Sequence, residues 1–313
     1  MTIPSNGVHQ SSGEGQAAAP TLSPTRPMHW TLRRELWENR SVYLAPVAVV
    51  WFVLFATILN ALFGASRLLR NINGATPARQ RDLLNGPFSA IAGTLIFTAF
   101  FIAVFYCLDA LHSERRDRSI LFWKSLPVSD RTIVLAKAAI PLVVLPSLVV
   151  LLALPAQFVL LMVTSVRLVG NESALALLWT HVKPVQTAVA VIYGVAALTL
   201  WHAPVYGWLL LISGWARRAA ILWAVLPALV LAAVERMLFG TASLMRFIGW
   251  RLFGGIKQAF IFPPKGSAVV MDPLDHLTPG RFLGSAGLWL GLLFAAVCIA
   301  AAIRMRRHAE PVS

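Results

Sequence analysis

Charged residues are scarce in this chain. They make up 13% of its 313 residues, whereas 58% are hydrophobic and the mean hydropathy is +0.70. A typical soluble domain is about one quarter charged. A water-facing surface of this size needs more charged side chains than the sequence supplies, so a single soluble core is excluded. The composition instead predicts an integral membrane protein, because about 20 apolar residues in a helix cross the hydrocarbon layer.

Cysteine and acidic residues are also few. The two cysteines, Cys107 and Cys298, lie inside apolar runs, so they offer neither a disulfide framework nor metal-ligand spacing. Lysine and arginine number 27 against 13 aspartate and glutamate residues, for a formal net charge of +14. In a soluble protein that excess would indicate nucleic-acid binding. Here the basic residues lie between apolar runs, which is typical of charges that set membrane topology, and no nucleic-acid partner is predicted.

The first 27 residues lack the basic start and apolar centre of a signal peptide. They are rich in Ser, Gly, Ala, Pro and Thr, a composition that predicts a disordered tail over residues 1–27. A second, short tail is expected at residues 308–313. Residues 28–307 are therefore predicted to form a single transmembrane domain.

Six apolar runs in this domain are candidates for membrane spans. The fifth is the weakest, because it has only 16 uncharged residues before Glu235 and Arg236. The predicted fold class is all-α, integral membrane. The six transmembrane helices are expected at residues 42–64, 88–111, 138–166, 185–214, 219–236 and 282–303.

Charge predicts which way these spans run. With six spans, the segments on the same side as both termini hold 15 basic residues and the opposite side holds 12. The positive-inside tendency therefore places both termini in the cytoplasm. Residues 237–281 then form the largest external loop. Its stretch Met245–Phe253 mixes aromatic and basic residues, and it predicts either a segment that re-enters the bilayer or caps an exit path, or a plain surface loop.

A short helix is predicted ahead of the first span, between His29 and Arg40. Trp30 and Trp37 lie seven residues apart, Leu32 and Leu36 lie four apart, and charged residues fill five of the other positions. That spacing is typical of a helix in the membrane interface, with tryptophan at headgroup depth. The alternative is a cytosolic extension of the first span.

The segment between spans two and three changes character along its length. A dense patch of both charge signs at residues 114–118 precedes the apolar run Ile120–Trp123. Pro127 should end a helix near Leu126, and Ser129 or Asp130 can cap the helix that becomes span three. Such an apolar tip predicts either a protein docking site or a loop that rests in lipid headgroups.

The same segment resembles the coupling loop of the type-2 exporter family of ATP-binding-cassette (ABC) permeases. The likeness rests on Tyr106, Asp109, the run from Ser113 to Ser129, and Val134–Lys137. A second likeness, to the family's last span, rests on Pro279–Leu283, Gly287-Leu288-Trp289 and an arginine-rich end. The strongest match covers about 30 residues.

This resemblance implies an exporter permease in a bacterial inner membrane, with an N-terminal interfacial helix and a cytosolic coupling helix between spans two and three. In such permeases the coupling helix sits in a cleft of a separate ATP-binding subunit. ATP-driven closure of two ATPase subunits moves two permease chains, identical or related, from inward-open to outward-open. The residues implied to transmit force are Glu114, Arg115, Arg116, Asp117, Arg118, Ile120, Leu121, Phe122, Trp123, Lys124, Leu126 and Pro127.

The sequence has no phosphate-binding loop of the form Gly-x-x-x-x-Gly-Lys-Ser/Thr. The nearest approach, Gly249 to Gly254, is followed by Gly255 and Ile256, so the lysine and the magnesium-binding hydroxyl are missing. The chain is therefore not expected to be an enzyme by itself, and no catalytic, cofactor-binding or metal-binding residues are predicted in it. ATP and magnesium are expected in the partner subunit.

Two single residues have a predicted role. Asp109, one turn from the end of span two, is expected to pair with Arg115 or Arg116 and brace the coupling loop. His202 lies mid-span, where ionisable groups face a bundle interior or an aqueous path. His202 is therefore either a substrate-path residue or a neutral histidine hydrogen-bonded to a neighbouring helix. The second interpretation is favoured.

Two rival functions are weighed against the exporter. An ATP-independent secondary transporter needs intramembrane acidic groups for ion coupling, and the apolar runs hold almost none apart from Asp109. A membrane-embedded enzyme needs several converging reactive groups, whereas His202 is isolated within its span. The substrate is not determined by the sequence.

Overall fold

The computed structural model describes residues 25–116, 129–261 and 272–308. These residues form helices and connecting turns without a β-strand, and a single isolated bridge joins Phe260 to Leu277. Six helices are long and apolar enough to cross a membrane, which confirms the all-helical, six-span part of the predicted fold. The chain is thus a multi-pass membrane protein.

Twelve α-helices follow one another along the described residues. They are α1 (Thr25–Glu38), α2 (Ser41–Asn73), α3 (Pro77–Asp109), α4 (His112–Arg116), α5 (Asp130–Ala139), α6 (Leu145–Arg167), α7 (Glu172–His181), α8 (Pro184–Trp215), α9 (Ala220–Phe239), α10 (Ser243–Ala259), α11 (Pro279–Leu283) and α12 (Ala286–His308). A π-helical segment, Ile140–Val144, joins α5 to α6 without a break, so these three elements form the third span. The other spans lie in α2, α3, α8, α9 and α12.

Helices α2 and α3 are longer than the apolar runs that predicted them. α2 continues past residue 64 to Asn73, and α3 begins at Pro77 instead of residue 88. An uncharged run marks only the part of a helix that must avoid water, and a helix continues beyond it as long as its backbone bonds are made. Proline favours the first helical position, which fixes the start of α3.

The shortest predicted span, expected to end at residue 236, is longer in the structure. Helix α9 has 20 residues and ends at Phe239. The next residue, Gly240, has a φ of 65°, the left-handed conformation common just after a helix. The carboxylate of Glu235 accepts hydrogen bonds from the backbone amides of Ser243 at 2.6 Å and Leu244 at 2.8 Å. Glu235 therefore satisfies the first amides of α10 while it remains within α9.

Residues 237–281, predicted as one external loop, contain the 17-residue helix α10. The buried residues of α10 are Arg251, Gly254, Gly255 and Ala259, and the helix packs mainly against α8. This packing excludes the plain surface loop for the stretch Met245–Phe253 and agrees with a segment that folds back onto the bundle.

Helix α8 lies at the centre of the bundle and contacts α3, α6, α10 and α12. At Gly207 the backbone of α12 comes very close: a β-carbon there would lie 3.1 Å from both the Cα and the carbonyl oxygen of Ala295. Glycine permits this approach because it has no side chain. The α8–α12 contact therefore depends on Gly207.

We expect Gly207→Val to lower the free energy of unfolding by about 1–3 kcal/mol, the usual cost of overpacking a tight contact. The obstacle is the α12 backbone, which cannot move aside as a flexible side chain can. The measurement is the Tm of the purified chain in a mild detergent. Gly93→Val is the matched control, since no atom lies within 4 Å of a β-carbon at that helical glycine. Equal shifts in Tm for the two variants would show that α8 and α12 are not tightly packed.

Two spans are hardly covered by the rest of the chain. Only 11% of the most apolar window is buried in the α2 span and only 6% in α9. The exposed residues of α9 include Leu222, Trp223 and Leu231. These faces are apolar, so they are suited to contact lipid or another protein.

Candidate functional site: a buried charge network

Glu114, the first residue of the segment expected to couple to an ATPase, lies in the short helix α4 and is 5% exposed. Its Oε1 is 3.1 Å from Nζ of Lys137 and accepts a hydrogen bond from Nη2 of Arg34 at 3.3 Å. Its Oε2 accepts a hydrogen bond from Nη1 of Arg306. One buried carboxylate therefore joins α4 to cations from α1, α5 and α12.

Glu35 is a second buried carboxylate, on α1, and it is completely shielded from solvent. Its Oε1 accepts a hydrogen bond from Nζ of Lys137 at 2.8 Å, and its Oε2 accepts one from the hydroxyl of Tyr106 at 2.9 Å. Lys137 is thus shared by Glu35 and Glu114. These bonds fix α1 to the end of α3 and to α5.

Arg306, near the end of α12, completes the arrangement. Besides Glu114, it binds Asp130, with 3.2 Å between Nε and Oδ1. Glu114 and Asp130 lie on the two sides of residues 117–128, so a single guanidinium from the last span holds both flanks of that segment. Ser129, beside Asp130, caps α5 by accepting a hydrogen bond from the amide of Thr132 at 3.2 Å, as its position predicted.

The buried charge network is defined here as Arg34, Glu35, Glu114, Asp130, Lys137 and Arg306. It contains three cations and three carboxylates, so its formal charges balance. Taking charges out of water is unfavourable unless each is paired and hydrogen-bonded. Removing one member would leave its partners as buried, unpaired charges. The network is therefore a rigid junction between α1, α4, α5 and α12.

A second set of contacts attaches the start of the segment to the end of α8. The amide of Leu111 donates to Oγ of Ser213 at 3.2 Å, and Nη1 of Arg115 donates to the carbonyl of Gly214 at 2.7 Å. Nδ1 of His112 lies 3.2 Å from the carbonyl of Ala216. The last carbonyls of a helix lack intrahelical partners, and cationic side chains are favoured there.

Only part of the predicted coupling segment is described. Glu114 and Arg115 make the contacts above, and Arg116 is exposed at the end of α4. The remaining predicted residues lie outside the described residues: Asp117, Arg118, Ile120, Leu121, Phe122, Trp123, Lys124, Leu126 and Pro127. The structure therefore locates both flanks of the segment.

Asp109 was expected to pair with Arg115 or Arg116, and it has no contact with Arg115. Its side chain is exposed, and the guanidinium of Arg115 binds the end of α8 instead. The physical reason is that the last carbonyls of α8 need donors, whereas an exposed carboxylate is already hydrated. The flank of the segment is braced by Glu114.

His202 lies in α8 and is 9% exposed. Its Nδ1 is 2.7 Å from the carbonyl of Leu198 in the preceding turn, and its Nε2 is 3.0 Å from the carbonyl of Leu252 in α10. Beside it, Nε1 of Trp201 donates to the carbonyl of Arg251 at 2.8 Å. Two consecutive side chains of α8 thus bind two consecutive carbonyls of α10.

Helix α1 has opposite faces of different chemistry. Its most buried residues are polar, Thr31 and Glu35, and face the bundle. Trp30 and Trp37 are 61% and 66% exposed, with the guanidinium carbon of Arg33 5.6 and 5.2 Å from their ring centres. An exposed face of tryptophan and arginine is typical of helices at a membrane surface.

Sequence reasoning missed Glu35, Lys137 and Arg306 as site residues. Glu35 was assigned to the polar face of a surface helix, whereas Lys137 and the arginines at the end of the last span were used for orientation and for the family resemblance, and no buried pairing was predicted for them. One signal was available: Lys137 lies within the apolar run Ile133–Ile140, where an unpaired ammonium would be costly. A lysine in such a run predicts that a buried carboxylate pairs with it, but the run does not identify that carboxylate.

Comparison with known proteins adds no family to this description. The chain matches no family model, no curated protein and no solved structure in these comparisons.

Proposed function

We propose that this chain is the transmembrane subunit of an ATP-driven exporter, powered by a separate ATP-binding subunit that docks on residues 114–127. The observation that supports this most strongly is the buried charge network. It attaches Glu114 and Asp130, the two flanks of the docking segment, to α1 and α12. A surface loop with no mechanical role has no need of a buried ionic junction at its base.

The network also offers a route for force. A displacement of the segment acts directly on Arg306 in the last span and on Lys137 in the third span. Arg115 passes the same displacement to the end of α8. Because packed elements and ionic junctions move between discrete arrangements, a docking partner that closes and opens can switch the bundle between two states.

The proposed orientation of the spans in the membrane follows from the basic residues at the end of the bundle that holds the charge network. Of the basic residues outside residues 237–281, most lie on the side of the membrane that holds the network, so the positive-inside tendency favours a cytoplasmic position for that side and for both termini. The bacterial inner membrane is proposed from the family resemblance alone. Helix α1 would lie along the cytoplasmic surface of the inner membrane, with Trp30, Arg33 and Trp37 toward the headgroups.

A second permease chain, identical or related, is part of the proposal. The faces of α2 and α9 that no other helix covers are suited to such a contact. Two ATP-binding subunits would then serve two docking segments, and alternating access would arise between the two chains.

The test is purification of the tagged chain from its native membrane in mild detergent, followed by mass spectrometry. We expect recovery of a protein with a nucleotide-binding motif in fixed ratio to the chain. Phe122→Ala with Trp123→Ala should lower that recovery at least tenfold, because aromatic anchors dominate docking interfaces, typically by 2 kcal/mol or more each (roughly 30-fold).

The matched control is Phe158→Ala with Trp179→Ala. These aromatic residues of α6 and α7 are 60% and 47% exposed and belong neither to the docking segment nor to the proposed contact faces of α2 and α9. They should leave recovery of the ATP-binding protein unchanged. Purification of the chain alone in several detergents, or equal recovery with all variants, would contradict the proposed docking site.

A further inference from the structure

Arg251, on α10, is a buried cation outside the charge network. Its side chain lies between α8 and α12 and the residue is 8% exposed. The guanidinium carbon is 4.6 Å from the ring centre of Trp201, and Nη1 donates to the carbonyl of Gly287 at 3.0 Å. Trp201 is about 20 Å along α8 from its end at Trp215, so this charge lies deep within the thickness of a bilayer.

Only some of the donor groups of the Arg251 guanidinium are hydrogen-bonded. Its Nε and Nη2 are buried and have no hydrogen-bond partner among the described residues. No carboxylate of that part of the chain lies within ion-pair distance of it, in contrast to the cations of the charge network. An arginine side chain stays charged in proteins. A buried charge without a counter-ion is unfavourable, so this position needs an explanation.

Glycines make room for this cation. A β-carbon at Gly291 would overlap Nη2 of Arg251, and one at Gly287 would lie 2.5 Å from the ring of Trp250. The Gly287–Gly291 pair on α12 therefore forms a groove that accommodates two side chains of α10. Trp250 is 38% exposed and lies against Gly287, whose carbonyl accepts the hydrogen bond from Arg251.

We propose that Arg251 binds the anionic headgroup of an amphiphile. Nε and Nη2 form one edge of the planar guanidinium, and that edge binds two oxygens of a phosphate or carboxylate. An anion there would satisfy both unpartnered donors and neutralise the buried charge. A change of rotamer at Trp250 is the smallest movement that would open the groove to it.

The surroundings favour a ligand with hydrocarbon chains over a free anion. Next to the groove, the ring of Phe247 lies 5.9 Å from that of Trp250 and is 58% exposed, and α12 exposes Leu290 at 66%, one turn from Gly287. A headgroup on Arg251 would leave its hydrocarbon chains along these apolar surfaces. The site does not depend on the proposed ATP-driven transport, and its test is a binding measurement that needs no ATPase.

The experiment measures the Tm of the purified full chain in neutral detergent against three probes. Dioctanoyl phosphatidic acid has both parts of the proposed ligand, dioctanoylglycerol lacks the phosphate, and inorganic phosphate lacks the chains. We expect saturable stabilisation by phosphatidic acid alone. Arg251→Met should weaken its Kd roughly 30-fold or more, the usual effect of removing one partner of a buried charge pair.

Arg246→Met is the matched control, because Arg246 is exposed on the same helix and donates to Oγ of Ser243 at 3.2 Å. It should keep the wild-type Kd. Without ligand, Arg251→Met should have a Tm equal to or above that of the wild type, since methionine removes a buried charge that lacks a counter-ion. A lower ligand-free Tm with an unchanged Kd would make Arg251 a structural residue and overturn the proposal. Equal stabilisation by inorganic phosphate or by dioctanoylglycerol would also overturn it.

Discussion

Replacing Lys137 with methionine is expected to lower the free energy of unfolding by about 3–5 kcal/mol, the usual loss when one partner of a buried ion pair is removed. Lys137 is 2% exposed, and its ammonium is shared by Glu35 and Glu114. Methionine fills a similar volume but donates no hydrogen bond, so both buried carboxylates lose a common cation. The measurement is unfolding of the purified chain in mixed micelles as the fraction of denaturing detergent rises.

A second lysine supplies the control for this prediction. Lys183 pairs with Asp272, with 2.5 Å between Nζ and Oδ2, but the two side chains are 39% and 43% exposed. Lys183→Met should therefore change stability by only about 0–1 kcal/mol. Adding Glu35→Gln to Lys137→Met removes a stranded carboxylate and should recover part of the loss. Small, equal losses for both lysine substitutions would show that the network is not buried as described.

Arg306→Gln is expected to loosen α5 without unfolding the chain. Arg306 is the only described residue that binds both Glu114 and Asp130, the flanks of the docking segment. Glu114 keeps Lys137 and Arg34, so the loss is smaller than for Lys137, roughly 1.5–3 kcal/mol of local stability. Amide hydrogen exchange over residues 130–137 should accelerate by about tenfold to 100-fold, since each 1.4 kcal/mol is a factor of ten.

Arg304→Gln is the matched control, because Arg304 is exposed two residues earlier on α12. Exchange over residues 130–137 should stay at the wild-type rate in that variant. If Arg306→Gln left this exchange unchanged as well, the last span would not hold the docking segment, and the proposed route of force to α12 would fail.

The membrane spans could be predicted from hydropathy because the hydrocarbon layer imposes the same requirement on every crossing. About 20 residues must lack charge, whatever they pack against. The rule misjudged α9, since it ended the span at residue 236, whereas the helix continues to Phe239. It gave no span at α10 because Arg246, Arg251 and Lys257 interrupt the apolar residues of that helix, although the mixed aromatic and basic stretch Met245–Phe253 was identified in the sequence.

The charge network could not be predicted in the same way. Glu35, Glu114, Lys137 and Arg306 are far apart in the chain, and their pairing depends on which helix ends meet in the bundle. Local patterns report the propensity of a segment and not its distant partners. Glu114 was identified as part of a charged patch and of a segment that resembles a known loop, without its buried partners, and Arg251 was noticed only as one of several basic residues in a loop.

Photo-cross-linking from position 122 tests directly whether an ATP-binding subunit docks on the segment that contains Phe122. A photoreactive amino acid replaces Phe122 or, as a control, Phe52 on the exposed face of α2. After illumination of native membranes, the account predicts that position 122 joins the chain to one protein with a nucleotide-binding motif, while position 52 does not. Cross-links from position 122 only to lipid, or to the ATP-binding protein equally from both positions, would contradict docking on residues 114–127.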